Sequence, residues 1–236
     1  MDLYQWASEL NKRVYNEWKA NYPNWTPGFK VLYGPPLANP EIMIVSLNPG
    51  GGDSARSGWT RWARDQDRFE RGDFSPPAEL SYWVRDNRMA KSVRGLFGER
   101  VQLLKHETVA FPVCFFRSEN WESIPIRTRE NMKRFCYPLV KQIIQTLQPK
   151  RLLVIGFDTY DQLISILDGF TAEVVTVTRR RPGKSTQSLA KESMWEGVHV
   201  FTSVHLTGFH FMRNEREEIK QRFQDWLVDS DGLGKG

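Results

Sequence analysis

The stretch Ile42-Met43-Ile44-Val45-Ser46-Leu47-Asn48-Pro49-Gly50-Gly51-Gly52 decides how the rest of the chain is read. An unbroken apolar run ends abruptly in a polar, glycine-rich turn. Such a run suits a strand covered on both faces of a parallel sheet. The turn sets backbone N–H groups and the Asn48 amide at the strand's carboxyl end. In open α/β sheets that edge is where ligands bind.

Upstream, Leu3, Trp6, Leu10, Val14 and Trp18 recur at spacings of three and four. They predict an amphipathic helix over 2–20, stopped near Pro23. Residues 23–41 read as an irregular, proline-containing arm. Downstream, 53–107 interleaves aromatic residues with arginines such as Arg56, Arg61, Arg85 and Arg88. Long structureless loops are uncommon in compact domains, so short helices are predicted near 58–70, 78–82 and 87–96, over the sheet's carboxyl edge. A ligand-covering lid and a solvated helical insertion both fit this segment.

Residues 108–116 form a second strand candidate, in which Pro112 marks an end or a bulge. Thr128 is placed as the cap of a helix running through Met132, Phe135, Leu139, Ile143 and Leu147 to Pro149. A third strand covers 151–156 and a short helix 158–168. Residues 173–178 alternate as an outer strand, followed by a basic loop over 179–184. The last strand is 198–204, and 215–227 closes the chain as a helix. Strands alternating with helices predict one α/β domain over 1–230 with a mostly parallel sheet, and a flexible tail over 231–236.

Composition narrows the chemistry. The 236 residues include nine tryptophans, so some aromatic surface is expected to contact a partner. The net charge of +5 leans toward polyanions but does not select one. Cys114 and Cys136 are too few for a four-cysteine metal site, and free thiols are expected. No apolar run approaches the roughly 20 residues of a membrane span, and the N-terminus has no apolar signal core. A cytoplasmic protein is expected.

Familiar motifs fail. No G-x-G-x-x-G follows the first strand, and Gly183-Lys184-Ser185 lacks the earlier P-loop glycine, with Thr178 in its place. There is no G-x-S-x-G elbow and no H-E-x-x-H. His205 and His210 lack an evident third metal ligand, so neither metal nor cofactor is expected.

What remains is a pair of strand ends, Asn48-Pro49-Gly50 and His205-Leu206-Thr207-Gly208, which a parallel sheet brings to one edge. In order and spacing they resemble the two active-site motifs of the uracil-DNA glycosylase superfamily, over roughly residues 30–228. Ser46 stands where the mismatch-specific and single-strand-selective branches have glycine. Leu206 and Thr207 replace the proline and serine of the second motif.

The resemblance implies a three-layer α/β/α sandwich with a central, mostly parallel four-stranded sheet. It implies a monomeric, monofunctional DNA N-glycosylase of a prokaryotic cytosol or nucleoid, acting in repair or antiviral defence. Asn48 would position water below the anomeric carbon, and His205 would stabilise the departing base. Ser46, Pro49, Gly50, Trp59, Trp62, Pro112 and Phe116 would surround the flipped base, with Trp59 or Trp62 stacking on it.

Phe209 would wedge into the base stack, with Thr207, Gly208 and His210 beside it. Arg179, Arg180, Arg181 and Lys184 would meet phosphates. Pro112 falls where several relatives carry a uracil-reading asparagine. Proline offers no side-chain hydrogen bond, so a modified or damaged pyrimidine is favoured over uracil. The rival expectations are a nucleic-acid-binding protein of the same fold that has lost catalysis, and an α/β protein that binds a nucleotide or small metabolite.

Overall fold

A computed structural model of the chain describes residues 1–24, 28–50, 68–118, 121–179, 185–207 and 213–228. The opening stretch forms β1 (Ile42–Ser46), buried at every position. It lies between two parallel neighbours, β2 (Thr108–Pro112) and β3 (Arg151–Ile155). That placement explains its unbroken apolar run, because both of its faces are covered. Met43 and Val45 join one apolar cluster, and Ile42 and Ile44 join the other.

The first cluster takes its helical residues from α1 (Leu3–Asn21), α5 (Ile126–Leu147) and α6 (Phe157–Ile166). The second takes them from α2 (Ser81–Val84), α3 (Arg88–Phe97), α4 (Gln102–His106) and α7 (Arg213–Val228). Alternation along β1 therefore separates two helical layers across one sheet. The expectations near 78–82 and 87–96 correspond to α2 and α3. Residues 68–70 are helical, and the rest of 58–70 lies outside the described residues.

The sheet corrects the four-stranded expectation. Among the described residues it has six strands in the order β2-β1-β3-β6-β5-β4 and is mixed. The four parallel strands are there, with β6 (Val198–Ser203) beside β3. Two antiparallel strands extend them: β5 (Gln187–Trp195), which the sequence reading missed, and the outer strand β4 (Val174–Arg179). Trp195 pairs with Val198, leaving a two-residue hairpin in which Glu196 and Gly197 both have positive φ (46° and 84°). Turns of that kind match the twist of the strands they join.

A second correction concerns α5. It begins at Ile126 behind Pro125 rather than at a Thr128 cap, and no side chain caps it. Proline supplies a fixed φ at the entry, which displaces the capping role. At the other end Gln148 turns left-handed (φ 49°) before Pro149. Asp2 caps α1, accepting from the backbone N–H of Tyr4 at 2.8 Å. Cys114 and Cys136 are buried free thiols. Among the described residues no helix is long and apolar enough to cross a membrane.

Candidate functional site

The strand register aligns the two polar turns. Ser46 pairs with Ile155, and Ile155 with Ser203, so the three form one row across β1, β3 and β6. Asn48 lies two residues beyond Ser46, and His205 two beyond Ser203. Both follow strand ends on the carboxyl edge, and the row from Ser46 to Ser203 spans two strand spacings, about 10 Å. β3 ends between them at Gly156, whose positive φ (96°) turns the chain into α6.

Asn48 is held from the β2 side. The segment after β2 runs along the end of β1: Val113 N–H donates to the Ser46 carbonyl (2.7 Å) and Cys114 N–H to that of Leu47 (2.8 Å). Ser118 N–H donates to the Pro49 carbonyl at 3.3 Å. The Asn48 side-chain NH2 then donates to two carbonyls, Ser118 O at 3.1 Å and Pro49 O at 3.4 Å. Only the nitrogen end of the amide can serve carbonyls, so these contacts fix its orientation and turn Oδ1 away from them. Gly50 is exposed, and a Cβ added there would meet nothing within 4 Å.

His205 is held by its own turn. Thr207 N–H donates to His205 Nδ1 (3.4 Å), and the Thr207 hydroxyl lies 3.2 Å from the same nitrogen. With Nδ1 accepting, the proton of the neutral ring sits on Nε2. His205 is exposed by surface area, yet desolvation by the surrounding strand end pushes the imidazole pKa below the ordinary 6.5, against the opposing pull of the Asp158 carboxylate. The site thus pairs an oriented carbonyl oxygen with a neutral N–H donor. Such a pair can hold a water on one side of a bond and stabilise negative charge developing on the other.

Under this edge lies a polar layer on the second-cluster face. The Tyr33 hydroxyl is 3.4 Å from Ser46 Oγ, and the Tyr82 ring packs against that of Tyr33 at 5.6 Å. Burial raises the pKa of both phenols, keeping them as O–H groups. The neighbouring Arg117 is buried and donates to the Gly50 carbonyl at 3.4 Å. Among the described residues the buried Ser203 hydroxyl has no hydrogen-bond partner. Tyr33, Tyr82, Arg117 and Ser118 were not in the sequence-derived set. Tyr33 comes from the arm and Tyr82 from the insertion, and neither sits in a motif.

The structure gathers Ser46, Asn48, Pro49, Gly50, Pro112, His205 and Thr207 at one edge. Pro112 is buried at the end of β2, paired with Ser46. Two expected residues are corrected. Phe116 is fully buried, with its ring against Tyr22 (4.7 Å) and Phe135 (6.2 Å), so it belongs to the core rather than to a base-binding wall. Arg179 is buried in a two-bond ion pair with Glu215, so its guanidinium serves the fold rather than a phosphate. Trp59, Trp62, Arg180, Arg181, Lys184, Gly208, Phe209 and His210 lie outside the described residues.

No protein-family model matches the chain, and no curated protein matches it.

Proposed function

We propose that this protein is a monofunctional DNA N-glycosylase with a uracil-DNA-glycosylase-like fold, releasing a modified or damaged pyrimidine and leaving an abasic site. The observation that carries the reading is the shared row of Ser46 and Ser203 on either side of β3, each two residues before Asn48 and His205. One extruded nucleoside fills a gap of that size. Asn48 Oδ1 accepts a hydrogen bond from a water placed beneath the anomeric carbon. An oxocarbenium-like centre needs that water positioned more than deprotonated. The His205 Nε2–H donates to the base oxygen as the glycosidic electrons move onto the base. With Pro112 unable to read the base, the hydroxyls of Ser46, Tyr33 and Tyr82 are the polar groups available for its edge.

The test is base release. Single- and double-stranded oligonucleotides carrying uracil or 5-substituted pyrimidines are incubated with the protein, treated with alkali, and analysed for cleavage and for the freed base by mass spectrometry. Alkali-labile sites at one pyrimidine, absent with Asn48→Ala and His205→Ala, support the enzyme. DNA binding with no release from any substrate would assign the chain to the inactive binding protein instead.

The pH profile is a second check. Because the pKa of His205 is lowered, the neutral ring and its Nδ1 contact with Thr207 persist to below pH 6.5. Protonating Nδ1 abolishes that contact. Activity is expected to be flat from pH 8 to about 6.5, then to fall as much as tenfold per unit below the folded pKa. The stability contribution has the same sign, present above the unfolded pKa and lost as pH falls through the folded one. An acid limb that survives in His205→Gln would show that another group controls it.

A further inference from the structure

A cleft of about 570 Å³ lies between α3 and α7 and reaches Leu206, the residue after His205. Its apolar lining comes from Leu96 and Ile219 of the second cluster and from Leu206, packed against that cluster. Arg88 and Lys91 on α3 and Arg216 and Lys220 on α7 bring four cations to it, against the single carboxylate of Glu217. Spacings of three and four residues put each cation pair on one side of its helix. Lys91 also meets Asp86 at 3.1 Å, but both side chains are largely exposed and such pairs are weak.

The cleft is built space between fixed walls. Gln224 of α7 donates to the last carbonyls of α3, Leu96 O at 2.7 Å and Phe97 O at 2.8 Å. The Phe97 and Phe223 rings pack at 5.1 Å beneath. Gly95 also lines the cleft, in the interior of α3. Glycine is a poor helix former. The φ at Gly95 is not positive, and a Cβ there would meet nothing within 4 Å. Neither backbone nor packing requires glycine, but its lack of a side chain keeps the cleft open.

A site for a bare anion would need no apolar lining, and an apolar ligand would need no cations. Both together match a nucleotide, with a base against the aliphatic side chains and phosphates on the basic helix faces. We propose that this cleft is a track for a single strand of nucleic acid, leading the strand to the turn that carries His205. The choice of a strand rests on the base-release function proposed above.

The measurement is fluorescence anisotropy of the full chain with a labelled single-stranded 20-mer, at salt from 50 to 200 mM. Arg88→Ala/Lys91→Ala is expected to weaken binding on the order of tenfold and to flatten the log–log salt slope by about 1.4, as for two lost phosphate contacts. Gly95→Gln, which fills the cleft without changing charge, should also weaken binding, whereas Gly95→Ala should not. The charge-matched control Lys12→Ala/Arg13→Ala, on α1 in the other layer, should bind within about twofold of wild type, the change expected when no phosphate contact is lost.

Wild-type affinity in both Arg88→Ala/Lys91→Ala and Gly95→Gln would overturn the track while leaving Asn48 and His205 untouched. Failure of the wild-type protein to bind the 20-mer at all would overturn the track, while release from duplex substrates would still uphold the glycosylase reading. Complete displacement of the 20-mer by a mononucleotide 5′-phosphate at equal phosphate concentration would give the cleft to a small phosphorylated ligand and overturn the track.

Discussion

Asn48→Ala is expected to slow base release by about 10²–10³ while leaving the melting temperature close to that of the wild type. The magnitude follows from what the amide does. Its NH2 is engaged by Ser118 O and Pro49 O, which leaves Oδ1 as the end of the amide that would hold the proposed water. On the proposed mechanism alanine removes the acceptor that holds the water; the turn loses the two amide bonds but keeps its backbone bonds through Val113, Cys114 and Ser118. Asn48→Asp is the sharper variant. It is nearly isosteric, but a carboxylate has no N–H for the two carbonyls and is repelled by them. It is expected to lose most of the activity as well. If Asn48→Asp matched or exceeded the wild type, the residue would be acting as a base, and the oriented-amide account would fail. His205→Ala is expected to fall by a similar factor, the usual cost of removing one donor from developing negative charge.

How far these elements were legible in the sequence depends on where their partners lie. β1 could be read because burial on both faces writes itself as an apolar run. That Asn48 and His205 follow strand ends on one edge could be read because strand ends of a parallel sheet share an edge whatever surrounds them. β5 could not, because its Lys191 and Glu192 break the apolar pattern and their partners are remote: Lys191 pairs with Glu173, and Glu192 with Arg222 on α7. Its clearest local signal was Glu196-Gly197 before Val198, a hairpin turn without the usual asparagine. Tyr33 and Tyr82 were invisible near Ser46 because only folding brings the Tyr33 hydroxyl to it, 13 residues away along the chain, with Tyr82 packed on Tyr33. Arg179 was misread for the opposite reason. It heads a local run of basic residues, and its true partner is 36 residues away.

That partner carries the largest expected stability effect. Glu215→Ala is expected to destabilise the protein by about 3–5 kcal/mol in urea unfolding. Both side chains of the pair are only 4% exposed, and the guanidinium meets the carboxylate through two parallel bonds, Nε to Oε1 and Nη2 to Oε2. Removing the acid takes from a buried cation the carboxylate that meets it through two bonds, and much of the cost of that burial then falls on the folded state. The position adds to it. Arg179 ends β4, which among the described residues is an edge strand paired with β5, and Glu215 sits in the first turn of α7, so the pair fastens the sheet's outer edge to the helix over it. Replacing both partners, Arg179→Met with Glu215→Leu, is expected to cost far less than Glu215→Ala, because no buried charge remains. If the double replacement cost as much as the single one, the loss would come from packing rather than from an orphaned charge. If Glu215→Ala cost under about 1 kcal/mol, the pair would be behaving as a surface ion pair, and water would have to reach Arg179.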